Sequence, residues 1–127
     1  MDITFHDGLS PAKIAWQHAF IEIMADNARE VFRLHGGTFF NTPTLSPNNG
    51  VSVDDGGVVL MTRSGGLVNL PYDVRISFAR YLAQNPAVTH LKRYSIDKVF
   101  RERRLLESHP REIFECTFDI VSSRSCK

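Results

Sequence analysis

Cysteine is scarce in this chain: Cys116 and Cys126 are the only two among 127 residues. Two thiols build no disulfide framework, and such usage fits a reducing compartment. Cys116 sits in an apolar alternation and reads as packing, while Cys126 lies in a polar tail and reads as a free thiol. The five histidines, His6, His18, His35, His90 and His109, show no pairing at metal-ligand spacing. His18 lies on an apolar helical line and reads as a core residue; His109, before Pro110, reads as a loop-stabilising one. No serine or cysteine has a recognisable nucleophile setting. No apolar run approaches the roughly 20 residues that span a bilayer. The N-terminus, Met1 to Asp7, lacks the basic and apolar regions of a signal peptide, so the expected location is cytoplasmic, with no membrane partner. Charge of one sign is also lacking. A net charge of +1 gives no global attraction to nucleic acid, so any such argument rests on local clustering. There is no internal repeat and no low-complexity tract.

What is present is enough for a core. An apolar content of 43% suits one domain or a piece of a larger one. Ser10-Pro11 opens a helix, because serine caps free amides and proline at the first helical position loses no bond. The helix is expected to reach Leu34 or His35, where Gly36-Gly37 stop it. One apolar line runs through Ile14, His18, Ile21, Ala25, Ala28 and Phe32, and a second through Trp16, Phe20, Ile23, Val31 and Leu34. Two lines mean cover on more than one side, either by this chain or by a partner subunit. Residues 38–41 read as a short strand stopped by Pro43, and 45–50 as loop. Val58 to Arg63 and Leu67 to Leu70 flank Ser64-Gly65-Gly66 and predict a hairpin. Asp73 can cap a helix from Val74 to Gln84, with Val74, Phe78, Ala79 and Leu82 inward, and Asn85-Pro86 ends it. Strands are expected at about Leu91 to Arg101 and Glu112 to Val121, joined by a polar loop, before a frayed tail. The fold class is α+β, an antiparallel sheet with helices on one face.

Alternation sorts the last two strands. Phe114, Cys116, Phe118 and Ile120 form an apolar set that can pack on helices. Asp97, Arg101, Glu115, Thr117 and Asp119 fall together on the opposite face, which is either solvated or a site. Between Lys92 and Arg111 stand seven basic residues, Lys92, Arg93, Lys98, Arg101, Arg103, Arg104 and Arg111, against three acids, leaving +4 on a chain whose total is +1. Arginine matches phosphate oxygens in bidentate fashion, so this cluster is either an RNA-binding surface or a solvated face.

The order of strand, charged loop and strand, with Arg101 closing the first strand, resembles the second signature motif of class II aminoacyl-tRNA synthetases. In that family the strand arginine grips a phosphate. The long helix followed by Gly37-Thr-Phe-Phe-Asn-Thr-Pro-Thr-Leu45 resembles the first motif, a helix and strand that form the dimer interface. The resemblance therefore implies a homodimer contact through Trp16, Phe20, Ile21, Phe32, Phe39 and Pro43. It is most specific to the histidyl-tRNA synthetase branch and implies a partial synthetase-like domain over residues 10–122. Within it lie a motif-1-like part at 11–45, a pocket-like hairpin and helix at 58–85 and a motif-2-like part at 91–121, flanked by a lead-in at 1–9 and a tail at 123–127.

Departures from the family pattern argue against catalysis. Aligned on Ala79-Arg80, Asp73 falls where the family holds the substrate amino group, and Pro71 and Arg75 where active enzymes carry arginine and threonine. Arg75 fills space that a small substrate needs. Arg103 replaces an expected acid, and Glu115 aligns near the substrate-reading glutamine. The third motif, which completes the ATP site, is missing. Asp73, Arg75 and Glu115 would then line a degenerate amino-acid pocket; no cofactor is expected, and residual ATP binding is left open.

Three stretches resemble one degenerate synthetase domain in particular: Leu70 to Tyr81, Leu91 to Leu105, and His109 to Val121. That domain belongs to the general-control, amino-acid-starvation kinase family that phosphorylates the alpha subunit of translation initiation factor two. The resemblance implies a non-catalytic segment that senses uncharged tRNA, dimerises and regulates a kinase domain in the same polypeptide, with the ribosome as a further partner. The tRNA contacts it implies are Arg101, Arg103, Arg104 and Arg111, supported by Lys92, Arg93 and Lys98. Two alternatives are a fragment of an active histidyl-tRNA synthetase and a synthetase-like regulatory subunit of histidine biosynthesis.

Overall fold

A computed structural model describes residues 2–3, 10–48, 56–102 and 111–123. Helix α1 spans Pro11–Leu34, and the Ser10 hydroxyl accepts the Lys13 amide as its N-cap. At its end the Gly36 amide donates to the Arg33 carbonyl and the Gly37 amide to the Phe32 carbonyl, with Gly36 at φ +78°. This is a Schellman termination, in which glycine takes the left-handed turn at no steric cost. Gly37 answers a different need: a Cβ there would lie 2.7 Å from the Phe118 ring and 3.1 Å from the Tyr94 ring. The helix thus turns directly into the sheet.

The main sheet has the order β1-β7-β6-β2, formed by Asp2–Ile3, Arg111–Ser122, His90–Arg101 and Thr38–Phe39. Strands β6 and β7 pair antiparallel along their whole length, from His90 opposite Ser122 to Arg101 opposite Arg111. The N-terminal lead-in supplies β1, which pairs with β7 at Ile113 and Glu112. β2 joins β6 in parallel, so the sheet is mixed rather than wholly antiparallel. A second sheet orders β3-β5-β4, from Ser46–Pro47, Leu67–Asn69 and Val59–Met61. The expected hairpin is its β4–β5 half. Its β3 lies in the stretch expected to be loop, where Pro47 is tolerated because the strand is an edge. The sheets meet where the Phe100 amide donates to the Pro71 carbonyl and the Glu102 amide to the Gly56 carbonyl.

Helix α2, Val74–Gln84, is capped by Asp73, whose carboxylate accepts the Arg75 amide. Val74 and Phe78 are buried, and Tyr81 turns in against Phe40, with ring centroids 4.9 Å apart. Ala79, expected inward, is exposed, while Tyr81, three residues on from Phe78, takes the inward place beside it.

The helices do not share one face. Phe32 of α1 stacks on Phe118 and meets Tyr94 at a tilt, on the even-numbered face of β6 and β7. The α2 residues Arg75 and Phe78 meet Thr117 and Arg93 on the odd-numbered face. The expectation of helices on one face is thus corrected. The odd face, although polar, is satisfied by ion pairs and hydrogen bonds to α2 and can be covered.

Candidate functional site on the polar sheet face

Asp97, Arg101, Glu115, Thr117 and Asp119 do share the odd face, and the N-terminus of α2 stands over it. Arg93 is the centre of the arrangement. Its side chain is 0% exposed and donates to the Asp119 carboxylate at 2.9 Å, to the Phe40 carbonyl at 3.1 Å and to the Val74 carbonyl at 3.1 Å. Its guanidinium lies over the Phe78 ring at 3.8 Å. Burial pushes Arg93 down from its ordinary range, and attraction to Asp119 opposes the shift. All three guanidinium nitrogens are engaged within the protein.

Arg75 crosses the same face from α2. Its Nε donates to the Thr117 hydroxyl at 2.9 Å and lies 3.6 Å from the Asp119 carboxylate. Asp119 is therefore shared between two arginines, one buried and one exposed. Further along, Arg101 pairs with Glu115 at 3.6 Å, donates to the Tyr72 carbonyl at 3.3 Å and stacks over the Tyr72 ring at 4.5 Å. Burial, and then Asp73, push Glu115 above the usual carboxylate range, while Arg101 pulls it back. Across the strand from Glu115, Asp97 accepts from the Asn41 amide at 3.2 Å, and the Ser95 hydroxyl donates to the Asn41 side-chain oxygen.

This geometry sorts the sequence expectations. Asp73, Arg75 and Glu115 do come together, but as a cap, a bridge to β7 and an ion-pair partner. The basic cluster does not come together. Lys92 and Lys98 fall on the α1 face, Lys98 with Glu112 at 3.6 Å, and Arg101 falls on the other. Arg93, expected at the surface, is sealed in the core. Arg103 and Arg104 lie outside the described residues, as does the side chain of Arg111, whose backbone stands opposite Arg101. Tyr72 and Asn41 were missed. Tyr72 acts partly through a carbonyl, which has no sequence signature, and Asn41 is positioned by a two-residue strand.

The α1 expectations divide as well. Ile21, Ala25, Ala28 and Phe32 face the sheet, and Phe32 is used within the chain. The second line stays open: Trp16 is 62% exposed, Ile23 59% and Leu34 79%, with Trp16 stacked on Phe20. Phe39 and Pro43 are exposed as well. His18 and Cys116, expected in the core, are exposed because α1 touches the sheet mainly through its C-terminal half. Among the described residues no cluster of histidine, cysteine and acidic residues could hold a metal ion. Nor is any described helix long and apolar enough to cross a membrane.

No family model matches the chain. The sequence is similar to eIF-2-alpha kinase GCN2 of Mus musculus, 44% identical over 103 residues that cover 80% of this chain and 6% of the kinase. Against the Homo sapiens kinase of the same name it is 48% identical over 94 residues, covering 73% and 6%. It is also 36% identical over 98 residues to the cytoplasmic histidine–tRNA ligase of Arabidopsis thaliana, covering 73% and 11%. Among solved structures, an ATP phosphoribosyltransferase regulatory subunit/histidyl-tRNA synthetase from Bacillus halodurans aligns with TM-score 0.68 at 21% identity, over 94% of this chain and 33% of that one. Histidyl-tRNA synthetase from Nostoc sp. PCC 7120 aligns with TM-score 0.67 at 21% identity, over 89% and 26%. The fold is therefore that of the class II histidyl-tRNA synthetase core. The chain spans about 6% of the length of the kinases it matches.

Proposed function

We propose that this chain, a histidyl-tRNA-synthetase-like segment similar to part of the GCN2 kinases, is a non-catalytic regulatory module that binds uncharged tRNA and pairs with a second copy. In the parent polypeptide it would act in the cytoplasm on a linked protein kinase domain. Differential affinity for charged and uncharged tRNA would bias the kinase between two states. The observation that carries the non-catalytic part is Arg75. It crosses the polar face and is tied to Thr117 and Asp119, where in this reading a synthetase would hold its amino acid. A sensor needs affinity for a bare tRNA end, so losing the amino-acid pocket costs it nothing.

Arg101 is the first tRNA contact in this reading, with Arg103, Arg104 and Arg111 around it and Lys92 and Lys98 as distant electrostatic support. Arg93 is left out, since its donors are spent inside the fold. The second copy would cover the open α1 stripe of Trp16, Phe20, Ile23 and Leu34, whose exposure is costly for a lone chain. Residues 10–122 form the proposed unit.

Binding of deacylated and aminoacylated tRNA across a salt series tests the reading. Salt-sensitive binding that favours deacylated tRNA is expected, and Arg101→Ala with Arg103→Ala should weaken it and flatten the salt slope. A folded double mutant with unchanged affinity and slope would remove these contacts. The ligase similarity motivates one competing reading, an active synthetase fragment; histidine-dependent ATP–pyrophosphate exchange would establish it in place of ours.

A further inference from the structure

Arg101 is already engaged within the fold. Its Nε is held by the Tyr72 carbonyl, its plane by the Tyr72 ring, and its remaining edge faces Glu115. The separation of 3.6 Å is that of an ion pair rather than a short hydrogen bond. The Arg101 side chain is 34% exposed and that of Glu115 22%, so both reach solvent. A carboxylate and a phosphate oxygen offer a guanidinium the same acceptor geometry.

We infer that Glu115 is a built-in competitor at Arg101, a carboxylate that holds the guanidinium until an anion displaces it or a proton neutralises it. This rests on the reading of Arg101 as a phosphate contact and adds a regulatory element to it. The surroundings of Glu115 suit the role. Asp97 stands directly across on β6, Asp73 and Arg75 face it from the start of α2, and the Val74 amide hydrogen-bonds to it. Asp119 and Arg93, further along the same face, satisfy each other at 2.8 Å. Glu115 is thus held between two like charges and two arginines, and among the described residues its counter-charge beyond Arg75 is Arg101. Burial and Asp73 both favour its neutral form, while Arg101 opposes them, and a phosphate diester stays ionised where a carboxylate takes up a proton. Neutral Glu115 leaves Arg101 aimed, by Tyr72, at solvent.

The test measures binding of inorganic sulfate, whose charge is constant above about pH 3, and of deacylated tRNA. The proteins are wild type, Glu115→Gln, Glu112→Gln, and Glu115→Gln combined with Arg101→Gln. Glu112→Gln removes the same charge from the opposite face, where its partner is Lys98. Glu115→Gln is expected to tighten both probes by about twofold to fivefold at neutral pH, the range for a partly exposed ion pair. Glu112→Gln should change little, and Arg101→Gln should erase the gain. Wild-type sulfate affinity should rise as pH falls, and the Glu115→Gln profile should be flatter. Equal sulfate affinity for Glu115→Gln and Glu112→Gln overturns the inference, whatever tRNA does. A sulfate gain that depends on Arg101, without tRNA binding by any folded variant, keeps the inference and removes the tRNA reading.

Discussion

Replacing Arg93 with leucine distinguishes a phosphate contact from a structural pin. In the folded chain this guanidinium bridges three layers: Asp119 of β7, the Phe40 carbonyl after β2, and the Val74 carbonyl at the start of α2. Removing one partner of a buried ion pair costs about 3–5 kcal/mol, because the other charge is stranded. Asp119 is 22% exposed and keeps Arg75 at 3.6 Å, which places its share at the lower end. The two carbonyls lose their donors at about 1 kcal/mol each, partly offset by leucine filling the space over Phe78. The sum is about 3–4 kcal/mol, a large part of the ~5–15 kcal/mol that holds a domain. In urea, with a slope of about 1.5 kcal/mol per molar, the midpoint should fall by about 2 M. Arg93→Lys should lose less, since one ammonium reaches Asp119 but cannot span all three acceptors. A loss below about 1 kcal/mol, accompanied by weaker tRNA binding, would refute the argument and return Arg93 to the surface set.

Three further outcomes are expected. Gly37→Ala places a methyl 2.7 Å from the Phe118 ring and 2.9 Å from the Phe32 carbonyl, so stability should fall by about 1–3 kcal/mol in thermal melts; an unchanged Tm would show that α1 shifts freely on the sheet. Ile23→Asp, on the open stripe of α1, should lower the mass seen by light scattering without unfolding the chain, and a folded mutant at the original mass would detach that stripe from any interface. Because the folded state raises the Glu115 carboxyl above its unfolded value of about 4.3, the folded chain holds its proton more tightly. The stability Glu115 contributes is present below that unfolded value and is lost as pH rises through the folded one. Glu115→Gln should flatten this part of the stability–pH curve, and an unchanged curve would contradict the burial assigned to it.

Much of this molecule is set by local chemistry. Ser10-Pro11 and Gly36-Gly37 bound α1, Asp73 caps α2, and Ser64-Gly65-Gly66 turns the small hairpin. Alternation over 12 residues in each of β6 and β7 sorted their two faces, because a strand's side-chain period is two whatever surrounds it. The order of these elements also carried the synthetase fold. Tertiary structure decided what those faces meet. No periodicity says that α2 crosses to the polar face, since ion pairing lets a helix cover charged residues as an apolar stripe would. Neighbours in sequence, Lys92, Arg93 and Lys98, parted to surface, core and surface because parity and depth are independent of charge. Phe32 and Trp16 belong to equally apolar lines of one helix, yet one is packed and the other open. Which line is covered depends on where the sheet stands, and that position comes from contacts distant in sequence, Gly37 against Phe118 among them.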